Sequence, residues 1–316
     1  MRLSIVICAY NEEKSIGHLL TNLTHQRAPS EIRNREIIVV ASGCTDRTVD
    51  VVKKHMAGNA EIRLINETKR LGKASALNKA FEASSGDYIV LVPADVFPAD
   101  GALFNLLTPF KSKNVSAVSG CPMQNPQKTP KGFMGYLAKM TYRLWGRLMR
   151  KLNDSDLAAH CSGEFMAIRS NVKTAIPDGC AVDDAYLAIL AKKKGLIKFA
   201  PNAICYNLLP SNLVDYVNQR RRWLYGHFQT KKLTGEYPTV LDTMVLSKPS
   251  LVIKVLAEEI VEKPGEIEYL MIAIMIEAWI YLLSILDHVF RRRYGIWPVI
   301  KSTKYVEAKP ICEELR

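Results

Sequence analysis

Four short apolar runs, residues 3–9, 37–41, 63–66 and 88–92, alternate with stretches whose apolar residues recur at helical spacing. Ile16, Leu19, Leu20 and Leu23 follow the first run, Val49, Val51 and Val52 the second, and Ala74, Leu77 and Phe81 the third. Periods of 3.6 residues mark helices, and the short runs between them are apolar on both faces. Strands of that kind, each followed by a helix, belong to a parallel sheet covered on both sides. The chain is therefore expected to be α/β. In open sheets of this class ligands bind beyond the carboxyl ends of the strands. The residues standing there are Tyr10, Asn11 and Glu12 after the first run, Ser42 to Asp46 after the second, and Asp95 after the fourth.

Met1 and Arg2 ahead of an apolar run superficially suggest a secretory leader, but Asn11, Glu12 and Glu13 end the run too soon. A buried strand is the better reading. The 316 residues are 48% hydrophobic and 23% charged, which excludes disordered and fibrous classes. Seven cysteines (Cys8, Cys44, Cys121, Cys161, Cys180, Cys205, Cys312) are scattered with no C-x-x-C pair. Neither a zinc cluster nor a secreted disulfide framework is indicated, and a reducing compartment is expected. A dinucleotide fold needs G-x-G-x-x-G after the first strand, where this chain has Ala9-Tyr10-Asn11-Glu12. Gly72-Lys73-Ala74 has the look of a P-loop end, but Glu67 replaces its first glycine and Ala74 its magnesium-binding hydroxyl. Dehydrogenase and NTPase chemistry are both set aside.

Seven pieces then fall in one order: Ile5 to Glu13, Ala41 to Thr48, Gly72 to Asn78, Pro93-Ala94-Asp95, Ser162-Gly163-Glu164-Phe165, Val182-Asp183-Asp184 and Gln219-Arg220-Arg221-Arg222-Trp223. Together they resemble the family 2 glycosyltransferases, inverting enzymes of the GT-A fold, over roughly the first 230 residues. The resemblance implies a nucleotide diphosphate sugar as donor and a divalent cation, Mg or Mn, on the leaving group. It places the metal on Asp95, the survivor of an Asp-x-Asp motif whose first acid is Pro93 here. Donor contacts fall on Ala9, Tyr10, Asn11, Glu12, Ser42, Lys73, Asp95, Gln219 and Arg222. Where the family supplies a base-recognising Asp in the second loop, this chain has Ala41-Ser42, so a uracil-specific site is not assumed.

The resemblance puts the general base on Asp184, with Asp183 beside it, and acceptor contacts on Gly163, Glu164 and Trp223. Gln219 and Arg222-Trp223 resemble the Q-x-x-R-W signature of membrane-linked synthases: Arg can fork onto diphosphate oxygens and Trp offers a flat face to a sugar. Read without the resemblance, Asp95 is a turn residue, Glu12 and Asp184 are carboxylates at helix starts, Lys73 is a solvated cation and Trp223 a core side chain. Arg220 and Arg221 carry no family role and read as solvated or facing lipid phosphates.

Charge is uneven. The chain carries a net +12, and between Asp100 and Asp154 nine cations stand without one acid. Phe133, Leu137, Met140, Leu144, Leu148 and Leu152 form an apolar stripe there among Lys139, Arg143, Arg147, Arg150 and Lys151. The pattern predicts a basic amphipathic helix, and its cation count favours an interfacial location over packing in the core. Residues 269–286 are apolar except for Glu277 and Ser284, just long enough to span a bilayer or to lie half-buried in it. Glu277, Ser284, His288 and Arg291 share one stripe, and Arg291-Arg292-Arg293 argues for a cytoplasmic end. Trp297, Ser302, Thr303 and Lys304 also resemble family 2 C-termini, without a chemical role that the sequence suggests.

The expectation is a catalytic domain over residues 1–235, its nucleotide-sugar half to 118 and its acceptor half from 119. A helical membrane-associating region would follow over 236–316. The partners expected are a nucleotide diphosphate sugar and a membrane lipid or lipid-linked acceptor, with no nucleic acid, and an active site facing the cytoplasm. A nucleotidyltransferase would want a glycine-rich phosphate loop after the first strand. A non-enzymatic basic membrane module would leave Asp95, Asp184 and Gln219 unexplained.

Overall fold

The computed structural model describes residues 1–290 and, beyond them, 292, 294, 296, 297 and 299–304. Strand and helix alternate as expected through β1 (Arg2–Ala9), α1 (Ile16–His25), β2 (Asn34–Ser42), α2 (Thr48–Gly58), β3 (Ile62–Glu67), α3 (Lys73–Ala83) and β4 (Tyr88–Leu91). Then come β5 (Phe97–Pro98), α4 (Ala102–Leu107), β6 (Val115–Gln124), α5 (Gly132–Asp154), β7 (Met166–Arg169), α6 (Asp183–Lys192) and β8 (Leu196–Asn207). Four helices follow: α7 (Leu213–Thr234), α8 (Leu241–Ser247), α9 (Pro249–Glu262) and α10 (Ile267–Val289).

All eight strands form one sheet in the order β3-β2-β1-β4-β7-β6-β8-β5. The four leading strands pair in parallel, while β7 runs antiparallel to both β4 and β6. Strand alternation distributes the core. Ile5, Ile7, Ile37 and Val39 face one layer with α1, whereas Val6, Ile38 and Val40 face the other with α3 and α5. The chain winds outward from β1 to β3 and then returns to place β4 on the other side of β1. That reversal opens a crevice at the carboxyl ends of β1 and β4, and it puts Tyr10 to Glu12 beside Asp95.

The basic stripe corrects the interfacial expectation. Leu137, Met140, Leu144, Leu148 and Leu152 of α5 are buried in the core, not turned to lipid. Three of its cations face protein as well, while Lys139 and Arg150 are exposed. Arg143 and Arg147 both bond Glu259 of α9, Arg147 reaches Glu262 at 2.6 Å, and Lys151 reaches Glu258 at 2.6 Å. Arg220 and Arg221 are corrected in the same way, since neither is solvated. Arg220 pairs with Asp242 at 2.8 Å and Glu277 at 2.9 Å, and Arg221 with Asp287. Packing α10 on α7 thus hides Glu277, which also accepts the Tyr216 hydroxyl at 2.6 Å.

The opposite side of α10 is bare. Met271, Met275, Trp279, Leu282 and Val289 are exposed, and Phe290 just beyond them. Pro264–Val289 is the one helix among the described residues long and apolar enough to cross a membrane. Of the shared stripe, Ser284 is fully buried and His288 packs on Tyr225 at 4.9 Å. Arg291, Arg293 and Cys312 lie outside the described residues.

Candidate active site

One cavity of about 740 Å³ opens at the strand ends. Lys73, Asp95, Gly163, Glu164, Asp184, Gln219, Arg222 and Trp223 all line it, from five separate stretches of chain. Ala9, Tyr10, Asn11, Glu12 and Ser42 stand at the ends of β1 and β2 and are not part of its wall.

Asn11 has a left-handed backbone, φ 54°, and spends its amide on Thr45: Thr45 N donates to its Oδ1 at 2.8 Å, and its Nδ2 donates to Thr45 Oγ1 at 3.1 Å. The two loops are thereby tied together. Glu12 is buried at the start of the turn into α1, where Ser15 Oγ donates to its carboxylate at 2.8 Å and Lys304 pairs with it. Burial first, and then the negative charge of Asp95, push the Glu12 carboxyl up to about 7. Ser42 is buried with its hydroxyl unpartnered among the described residues. Arg70 lies over the Tyr10 ring at 3.9 Å.

The adjacent acids at the start of α6 have different surroundings. Asp183 is 2% exposed and lies 2.9 Å from Lys73 Nζ. Burial alone would lower the Lys73 pKa, but the charges of Asp183 and Asp184 outweigh it and hold the ammonium above its ordinary range. Asp184 instead turns to the cavity and accepts the Gly163 N–H at 2.8 Å. A Cβ at position 163 would come within 2.6 Å of Asp184 Oδ2, so only glycine permits this bond. Next to it Glu164 accepts the Ser162 hydroxyl, and burial raises its pKa.

Gly226 lets α7 approach α6 closely, since a Cβ there would lie 1.9 Å from Val182. The contact brings Arg222 to the site. Its Nη1 donates to Ala181 O at 3.0 Å and its guanidinium lies 3.7 Å from the centre of the Trp297 ring. Burial lowers the Arg222 pKa to about 10, against the pull of Asp184, Asp183 and Glu164. Trp297 and Lys304 are the residues whose role the sequence did not suggest. Trp297 covers Arg222 and accepts a bond from Arg70 Nη2 at 2.6 Å, while Lys304 donates to Tyr10 O at 3.3 Å as well as pairing with Glu12. His160, buried on the cavity wall two residues before Ser162, was also missed, although its nearness to Ser162-Gly163-Glu164 was a usable signal.

Asp95 offers a divalent cation one hard oxygen ligand on the cavity wall. No group of three or more His, Cys, Asp or Glu stands together as a ligand shell among the described residues. That donor set fits a cation held mainly by substrate: Mg²⁺ is typically bound by one or two carboxylates together with phosphate oxygens and water. The cationic Lys304 standing on the neighbouring Glu12 shows that this acidic corner accepts positive charge.

A mixed sheet with acidic and cationic groups gathered at the β1/β4 crevice defines a GT-A glycosyltransferase. The family model for glycosyl transferase family 2 matches residues 4–173, more than half the chain, and the chain belongs to that family. Among curated relatives, the poly-beta-1,6-N-acetyl-D-glucosamine synthase of Staphylococcus epidermidis is 25% identical over 255 residues, covering 78% of this chain and 58% of the relative. The synthase of Staphylococcus aureus strain COL is 25% identical over 231 residues, 71% and 54% respectively. The chain thus spans a little over half the length of these relatives. Among solved structures, the mannosyltransferase PcManGT of Pyrobaculum calidifontis, in complex with GDP-Man and Mn²⁺, superposes with a TM-score of 0.65 at 20% identity, over 92% of this chain and 87% of that one. Glucosyl-3-phosphoglycerate synthase of Mycobacterium tuberculosis gives 0.50 at 18% identity, over 75% and 81%. These likenesses establish the fold.

Proposed function

We propose that the chain transfers one sugar, with inversion, from a nucleotide diphosphate donor to a hydroxyl of an acceptor held at a membrane surface. The observation that carries this reading is Asp184: a carboxylate fixed by the Gly163 N–H, on the wall of the cavity that Asp95, Lys73 and Arg222 also line. A base so held can take the acceptor proton as the oxygen attacks the anomeric carbon. Asp183, paired with Lys73, serves to hold that ammonium in place. Lys73 and Arg222 offer positive charge to the departing diphosphate. Asp95 would hold a divalent cation, which would offer further positive charge to the departing diphosphate. That PcManGT is seen with GDP-Man and Mn²⁺, and the mycobacterial synthase with UDP, supports a nucleotide-sugar donor and a metal here.

Residues 1–118 would form the donor half, 119–235 the acceptor half and 236–316 the membrane-associating part, with the site on the cytoplasmic side. Saccharide extension, as the name of the staphylococcal relatives implies for them, and a lipid-linked acceptor are both compatible with this geometry. The test is a panel of nucleotide sugars with the purified full chain, scoring nucleotide diphosphate release with Mn²⁺, with Mg²⁺ and with chelator. Release from one donor, lost with chelator, is expected. Absence of release from every donor overturns the reading.

A further inference from the structure

The cavity does not end at the reacting groups. It continues between α5, α7, α9 and α10, within the range of about 300–1,000 Å³ usual for ligand sites. Its wall there is mostly hydrocarbon, with Leu144 from α5, Leu224 from α7, Leu256 from α9, and Leu270, Ile274 and Ala278 from α10, interrupted by Arg220, Asp242 and Glu277, which pair with one another. Because Arg220, Asp242, Glu277 and Tyr216 are engaged with one another, a saccharide there would lose more hydrogen bonds to water than it regains, whereas an alkyl chain loses nothing. Entry from a bilayer is also at hand, because α10 walls the chamber and carries the exposed apolar surface.

The lining further constrains the head. Three cations, Lys73, Arg220 and Arg222, face five carboxylates, Asp95, Glu164, Asp184, Asp242 and Glu277. Arg220 is already engaged by Asp242 and Glu277, and Lys73 by Asp183. His160 is 6% exposed, and its Nδ1 has no hydrogen-bond partner among the described residues. Burial keeps its pKa at about 4, so the ring it presents at neutral pH is uncharged. An uncharged ring adds no further cation to this wall. A phosphate monoester brings a second negative charge to a wall already rich in carboxylates, and its oxygen needs no base.

We infer that the chamber holds a hydrocarbon tail of the acceptor, and that the acceptor is a lipid whose head presents a neutral hydroxyl, as an alcohol or a glycoside. This rests on the transferase reading above. The inference is tested with the full chain held in amphipol, by calorimetry and by transfer, using methyl, butyl and octyl glycosides of one sugar and octyl phosphate as probes.

Each fully buried methylene strengthens binding about fourfold. Octyl glycoside is therefore expected to bind at least about a hundredfold more tightly than the methyl glycoside, butyl between them, and octyl phosphate not to be glycosylated. Ala278→Trp and Leu256→Trp should each erase the octyl advantage while leaving donor affinity and methyl glycoside turnover unchanged. The length series on the unaltered protein stands alone if either variant loses donor affinity through misfolding. Equal binding of methyl and octyl glycosides, an octyl advantage that survives both substitutions in folded protein, or preferential use of octyl phosphate would overturn the inference. Absence of diphosphate release from every donor overturns the transferase reading instead, and direct octyl glycoside binding separates the two failures.

Discussion

Two neighbouring carboxylates take different parts because one is buried against an ammonium and the other is left facing the cavity. Asp184→Asn keeps the size of the side chain and an oxygen for Gly163 N–H, but it cannot take a proton. Diphosphate release coupled to transfer should fall by about a hundredfold or more, with donor affinity by calorimetry unchanged. Near-normal turnover would remove Asp184 from the role of base. His160 gives a pH signature. Unfolded, its pKa is the ordinary 6.5; folded, burial lowers it to about 4. Between those values the unfolded chain binds a proton that the folded chain refuses, so stability is lost as pH falls from 6.5 towards 4. The full loss is on the order of 3 kcal/mol. His160→Gln should flatten the fall of urea midpoint across that window while leaving pH 7 to 8 unaffected; equal slopes in both proteins would contradict it. Asp95 was legible because a strand end is a local feature, and Asp184 through the resemblance of Val182-Asp183-Asp184 to the family's motif. The role of Lys304 was not, because its partner Glu12 lies 292 residues away and no short pattern names it.

Helix α5 shows how an element can be correctly drawn and wrongly placed. Its period, length and cations were all in the sequence, and it is a helix over Gly132–Asp154. Its environment depended on acids of α9 more than a hundred residues later: Glu258 meets Lys151, Glu259 meets both Arg147 and Arg143, and Glu262 meets Arg147. Amphipathicity identifies a face but not what covers it. Glu259 is 1% exposed and serves two guanidinium groups. Glu259→Ala should therefore cost about 3–5 kcal/mol, since removing one partner leaves buried charge uncompensated. Adding Arg143→Met and Arg147→Met should recover much of that loss. Urea unfolding of the single and triple variants measures both, and a single variant as stable as the parent would show that the pairs contribute little.

At the scale of the molecule, apolar surface is concentrated on α10 while Arg143, Arg147 and Lys151 of α5 are engaged internally. Attachment to vesicles should therefore be hydrophobic in character. The full chain is expected to float with zwitterionic liposomes and to remain bound at 1 M salt, where screening lengths fall to about 3 Å. Replacing Trp279, Leu282 and Phe290 together by Ser should reduce flotation severalfold. Release by salt alone, or flotation that ignores the triple substitution, would assign attachment to other surfaces. This part of the architecture was visible in composition, because an apolar stretch of such length announces itself. The side that faces protein was marked by the stripe of Glu277, Ser284 and His288, but its partners were not, since Arg220 and Arg221, which meet Glu277 and Asp287, read as solvated.

Those two carboxylates lie ten residues apart in sequence, about 15 Å along the axis at the usual rise. A helix pinned at two such points cannot roll or slide independently of the catalytic body. In a bilayer thicker or thinner than its apolar length, α10 would have to tilt with everything attached to it. The mouth of the cavity would change its depth below the lipid headgroups by the same rotation, making acyl-chain length of the host membrane a control on how readily an acceptor meets Asp184.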